Sequence, residues 1–164
     1  MVRADFTTFY EAEVDRMVRS VALATGDPQL AEDAVAEAFA RAWSRWPDVR
    51  ATRRPAAWVM RVALNQAHDR FRRRKVERRK AGVVARSEES DDPQPQVDQG
   101  LWRAVRALPE QECTLIALRY IADLSQAEIA EALRIPSGTV ASGLSRARQR
   151  LGAALGSAYQ EEYT

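Results

Sequence analysis

Arg61, Asn65, Asp69 and Arg72 recur at intervals of three and four residues, the spacing that lines side chains along one face of an α-helix. Trp58 falls on the same face. Guanidinium groups grip phosphate, a carboxamide can pair bidentately with adenine, and an indole can stack on a base. A face with this chemistry suits nucleic acid. Trp58 has a second reading, packing on a neighbouring helix, and that role is the commoner one.

A second constellation lies in "LSQAEIAEALRIPSGTVASGLSRARQRL", Leu124 to Leu151. Ser125 and Glu128 have the spacing of a capping box, so a helix is expected to start there, with Ile129, Ala130 and Leu133 on its apolar face. Pro136 disfavours helical dihedrals at Ile135, so the chain should turn over Arg134 to Pro136. Ser137 is placed to cap a second helix. In that helix Val140, Leu144, Ala147 and Leu151 should face inward, leaving Thr139, Ser142, Arg146, Gln149 and Arg150 outside. The pattern is that of a helix-turn-helix, whose second helix enters the major groove. An ordinary helical hairpin with a solvated face would have the same spacing.

Nothing comparable supports catalysis. The single histidine, His68, and the single cysteine, Cys113, stand far apart and do not supply a His/Cys zinc set; no metal or cofactor is expected. There is no glycine-rich phosphate loop. The chain has 164 residues, enough for one domain or two small ones. It has no apolar run near the ~20 residues of a membrane span. "MVRADFTTFYEAEVDR" lacks a signal-peptide core, and one cysteine suits a reducing compartment, so a cytoplasmic protein with no membrane contact is expected.

The formal net charge of +2 hides an uneven distribution. Residues 1–49 carry −4, residues 50–86 carry +11, residues 87–100 carry −5, and the remainder is neutral. A concentrated cationic block is the footprint of a nucleic-acid contact, although a solvated basic tail would look the same.

The elements that must position these residues are helical, and strand signals are almost absent. One helix is expected over about 5–25, ended by "GDP" at Gly26 to Pro28. A second spans about 29–46, with Val35, Phe39, Ala42, Trp43 and Trp46 as its apolar face and Asp33, Glu37, Ala40 and Ser44 opposite, Arg41 beside them. Pro47 to Pro55 reads as a loop. A third helix over about 56–79 buries Met60, Leu64, Ala67 and Phe71. "SEESDDPQPQ" is a linker by composition. Beyond it a helix beginning near Leu101, another after Pro109 and the helix-turn-helix make a small four-helix domain. The expected architecture is therefore all-α: two small helical domains, 1–80 and 98–160, joined by a flexible acidic linker, 81–97, the second containing the helix-turn-helix.

Four stretches, in order, now carry a resemblance: "AEDAVAEAFARAW", "PAAWVMRVALNQAHDRFRRRK", "LPEQECTLIALRYIADLSQAEIAEAL" and "PSGTVASGLSRARQRL". Together the chain resembles the extracytoplasmic-function sigma factors of bacterial RNA polymerase over nearly its whole length. The resemblance implies a non-enzymatic protein that directs core polymerase to promoters and opens the −10 element. It implies that Asp33, Glu37 and Arg41 bind the clamp helices of the largest subunit. The −10 element would be read by Trp46, Arg50, Arg53 and Arg54 around the Pro47–Pro55 loop, and by Arg61, Asn65, Asp69, Arg72 and Arg73. The −35 element would be read by Ser137, Thr139, Ser142, Ser145, Arg146, Gln149 and Arg150, in a domain that also touches the flap of the second-largest subunit. The linker would thread the polymerase's active-site channel. An anti-sigma factor is admitted as a further partner.

The chain departs from the family in places. Family members usually carry basic residues at Ala141 and near Gly143, and often histidine at Ser145, so the −35 contact is expected either to be weak or to be carried by Arg146, Arg148 and Arg150. Ala36 stands where Gln is frequent, and Cys113 stands near a frequent Arg. The rival reading is a DNA-binding regulator that uses the helix-turn-helix without polymerase; such a protein would not need an acidic clamp-binding face.

Overall fold

The computed structural model describes residues 1–82 and 99–162. The chain divides into two compact units, Met1–Asp91 and Asp92–Thr164, and every regular element among the described residues is a helix. The acidic stretch expected as a linker lies outside the described residues, apart from residues 81 and 82.

The first unit holds α1 (Val2–Thr25), α2 (Pro28–Ser44), a short α3 (Trp46–Ala51) and α4 (Pro55–Lys80). α1 stops where Gly26 takes up φ 71° and donates its amide to the Ala22 carbonyl at 2.8 Å, a left-handed closure that glycine adopts without a Cβ clash. α2 starts two residues later, at Pro28. The Asp27 carboxylate accepts the Leu30 amide at 3.0 Å, and Pro28 occupies the first turn, where no amide is needed. Ala31, Ala34, Ala38 and Ala42 are all buried, and these small side chains let neighbouring helices approach closely. The α4 stripe of Val59, Met60, Ala63, Leu64 and Ala67 completes the core with Met17, Val21 and Val35.

The expected loop from Pro47 to Pro55 is mostly helix. Pro47 sits in the first turn of α3, Val49 is buried, and the Thr52 hydroxyl donates to the Val49 carbonyl at 2.6 Å. Only residues 52–54 remain between helices. The second helix accordingly ends before Trp46. Trp43, expected on the apolar face, is 46% exposed, its ring centroid 5.0 Å from that of Phe6. Phe71 is half-buried rather than part of the core.

The second unit holds α5 (Gln99–Arg106), α6 (Glu110–Ile116), which runs into a π-helical turn (Ala117–Ile121), α7 (Gln126–Leu133) and α8 (Ser137–Glu162). The π-turn is visible as the Ala122 amide reaching back to Ala117 at 3.1 Å. α7 is closed by the expected capping box: the Glu128 amide donates to Ser125 Oγ at 3.2 Å, and the Ser125 amide donates to Glu128 Oε2 at 3.0 Å. Arg134 then adopts φ 55° and ψ 44°, turning the chain. The Pro136 carbonyl accepts the Val140 amide at 3.2 Å, so Pro136 occupies the capping position and Ser137 lies inside the first turn instead of capping it. Val140, Leu144 and Ala147 are buried as expected. Gly143 joins them: a Cβ there would meet Leu115 Cδ1 at 2.4 Å. The glycine therefore faces α6, and the missing charge at this position is a packing requirement, not a gap in the outer surface.

Candidate nucleic-acid interface

α4 presents two different sides. Its outer side exposes Asn65, Asp69, Arg72 and Arg73, with Arg61 and Trp58 half-buried on the same helix. Arg53 and Arg54 are exposed on the 52–54 connection, and Arg50 is exposed on α3, paired with Asp5 at 3.3 Å. Trp46 does not join them. It is 3% exposed, its ring centroid 5.0 Å from Phe9 and 5.1 Å from Phe6. Placing it among the −10 contacts is therefore corrected: in this unit it is core, and an enclosed indole cannot stack on a base.

The other side of α4 lies along α2. Asp33 and Arg41 are exposed and Glu37 is half-buried, as their position opposite Val35 and Phe39 requires. Glu37 accepts from Arg41 at 3.0 Å and from Arg70 at 2.7 Å, and Arg70 also approaches Asp33 at 3.9 Å. One helical turn on, Arg74 pairs with Asp27 at 2.5 Å. An antiparallel ladder thus joins the acids of α2 to Arg70 and Arg74 of α4. Partly exposed pairs of this kind contribute at most about 1 kcal/mol each, so the ladder orients the two helices and still yields to a stronger partner. Neither arginine was expected at the site. Their four-residue spacing matches that of Asp33 and Glu37, but nothing local in the sequence says that the two helices lie side by side.

On α8 the outermost line consists of Gly138, Ser142, Ser145 and Gln149, all exposed. Ser137 is exposed and Thr139 is half-buried, its carbonyl accepting from Ser142 Oγ at 3.2 Å. The arginines stand on the flanks and are engaged within the unit. Arg146 Nε and Arg150 Nε lie 3.5 and 3.1 Å from the carboxylate of Glu112, which is buried on α6. On the opposite flank Arg148 Nε donates to the Tyr120 hydroxyl at 2.7 Å, with its guanidinium 5.8 Å from the ring centroid. Glu112 and Tyr120 were also unexpected, since an acid in the first turn of a helix normally faces water.

Cys113, beside Glu112, is buried, and its thiol is pushed up to about 11 by burial, with Arg106 opposing and Glu110 adding to the rise. It stays protonated at neutral pH and is a poor nucleophile. Among the described residues no group of three or more His, Cys, Asp or Glu is placed to hold a metal ion. No helix among them is long and apolar enough to cross a membrane.

Two family models match the chain: Sigma-70 region 2 over residues 9–77 and Sigma-70 region 4 over residues 98–151. The chain is 30% identical over 148 residues to the RNA polymerase sigma-E factor of Streptomyces coelicolor, covering 90% of this chain and 84% of that one. It is 35% identical over 133 residues to the ECF RNA polymerase sigma factor SigL of Mycobacterium tuberculosis, covering 73% and 71%. Its fold is similar to the sigma factor RpoE of Bartonella quintana, solved in complex with the anti-sigma factor NepR, with a TM-score of 0.77, 22% identity and coverage of 92% and 96%. It is also similar to CnrH, solved with the cytosolic domain of CnrY, with a TM-score of 0.62, 22% identity and coverage of 94% and 90%.

Proposed function

The chain belongs to the extracytoplasmic-function class of RNA polymerase sigma factors, and from that premise we propose how its residues divide the work of promoter recognition. As a sigma factor it acts with core polymerase and DNA; the regulator that would work without polymerase is not favoured. In our reading the acids of α2, Asp33 and Glu37 with Arg41, bind the clamp helices of the largest subunit. The outer side of α4, with Arg61, Asn65, Asp69, Arg72 and Arg73, reads and opens the −10 element, joined by Arg50, Arg53 and Arg54. α8 contacts the −35 element through Ser142, Ser145 and Gln149 of its outer line and through Ser137 and Thr139 in its first turn, and its unit touches the flap. Polymerase supplies the chemistry, and this chain supplies position and strand opening. It works in the cytoplasm, where the polymerase is, and an anti-sigma factor is the further partner of this reading.

The observation that carries the proposal is the two-sidedness of α4. The same helix turns donors to solvent and is tied by Arg70 to the acids of α2, so polymerase binding and DNA binding share one rigid element. Charge reversal at both acids, Asp33→Lys with Glu37→Lys, tests it. The double variant should keep its helical circular dichroism, because only partly exposed pairs are lost, and should no longer co-purify with core polymerase. A folded double variant that co-purifies normally overturns the clamp assignment.

A further inference from the structure

We propose that Glu112 sets how strongly the recognition helix grips DNA, by holding Arg146 and Arg150 against the body of the second unit. This rests on the reading of α8 as the −35 helix. At 100° per residue, Gly138, Ser142, Ser145 and Gln149 form the outward line, and none carries a charge. Arg146 and Arg150 lie to the side of that line facing α6, where Gly143 already packs against Leu115. There the Glu112 side chain is 7% exposed, whereas those of Arg146 and Arg150 are 53% and 58% exposed. A carboxylate so enclosed needs cations, because water no longer solvates it. The two nearest are the ones a phosphate would otherwise draw.

The clasp is incomplete. Oε2 receives no hydrogen bond, although Arg150 Nε is 3.1 Å away; charge holds the pair, and the geometry is poor. With Arg148 occupied by Tyr120 on the other flank, the helix meets the duplex with neutral hydrogen-bonding groups foremost. Glu112 touches no DNA in this account. It acts through the two arginines, as a positioning residue that keeps sequence-independent affinity low. Direct contacts then carry a larger share of recognition.

The test uses the full chain, a fluorescent 30-base-pair duplex of arbitrary sequence, and anisotropy titrations across a range of KCl concentrations. Glu112→Gln keeps the shape and removes the charge. It should tighten binding at low salt and steepen the log–log salt slope by about 0.9 for each arginine released to a phosphate, about 1.8 in all. Adding Arg146→Gln and Arg150→Gln should return the slope to the wild-type value. A merely structural glutamate would change the melting temperature and leave the slope alone. An unchanged or shallower slope in folded Glu112→Gln overturns the proposal. A measurement independent of that variant's folding is Arg146→Gln with Arg150→Gln beside wild-type Glu112. Its slope should stay near wild type, and a fall of about 1.8 would show that both arginines already hold phosphates. If no variant, the wild type included, binds DNA alone or with core polymerase, the functional reading fails and takes this inference with it.

Discussion

Asn65 and Arg72 sit on one face of α4, both exposed, yet under the proposed function their chemistry suits them to different work. A carboxamide can make a bidentate pair that distinguishes adenine, worth about 1–3 kcal/mol of discrimination. A guanidinium at the same surface mainly holds phosphate, which positions without specifying. Asn65→Ala should therefore flatten the preference at one −10 position in a promoter-library binding assay, and Arg72→Ala should weaken all promoters alike. The reverse pattern would assign base reading to the arginine. The donors on this face were legible because helical spacing alone groups them. Trp46 carried two readings, on the apolar face by helical period and among the −10 residues by resemblance, and the packing of Phe6 and Phe9 around it bears out the first.

At the scale of elements, the helix-turn-helix was the most legible part, because its signals are local. The capping box closes over three residues and the turn over Arg134 to Pro136. α3 was missed because six residues with a proline in the first turn are too short to show a period. The α2–α4 ladder and the Glu112 clasp were missed because each joins residues distant in sequence, and burial of a carboxylate is a tertiary property. Gly143 shows the same limit. As a departure from a family pattern it suggested a weakened DNA surface, whereas the close approach of Leu115 makes it a helix-crossing residue. Gly143→Ala should destabilise the second unit by about 1–3 kcal/mol, since Leu115 is enclosed and cannot move aside without disturbing its neighbours. The loss, followed by thermal unfolding, should shrink in a Leu115→Ala background, as expected of residues in contact. Equal losses in both backgrounds would place the strain elsewhere.

For the whole molecule, the acids along α2 and the arginines along α4 belong to one helical unit, and Arg70 and Arg74 join the two helices side by side. A DNA-binding protein needs the second of these. An acidic ledge tied to the helix proposed to bind DNA gains a purpose when a polymerase takes hold of it. The measurement that tests this most directly is transcription by purified core RNA polymerase on a promoter library, with and without the full chain. Transcripts that start at a small set of fixed sites are expected only when the chain is present, and should disappear with the Asp33→Lys, Glu37→Lys double variant. Identical transcripts with and without the chain, under conditions where it still binds duplex DNA, would contradict it.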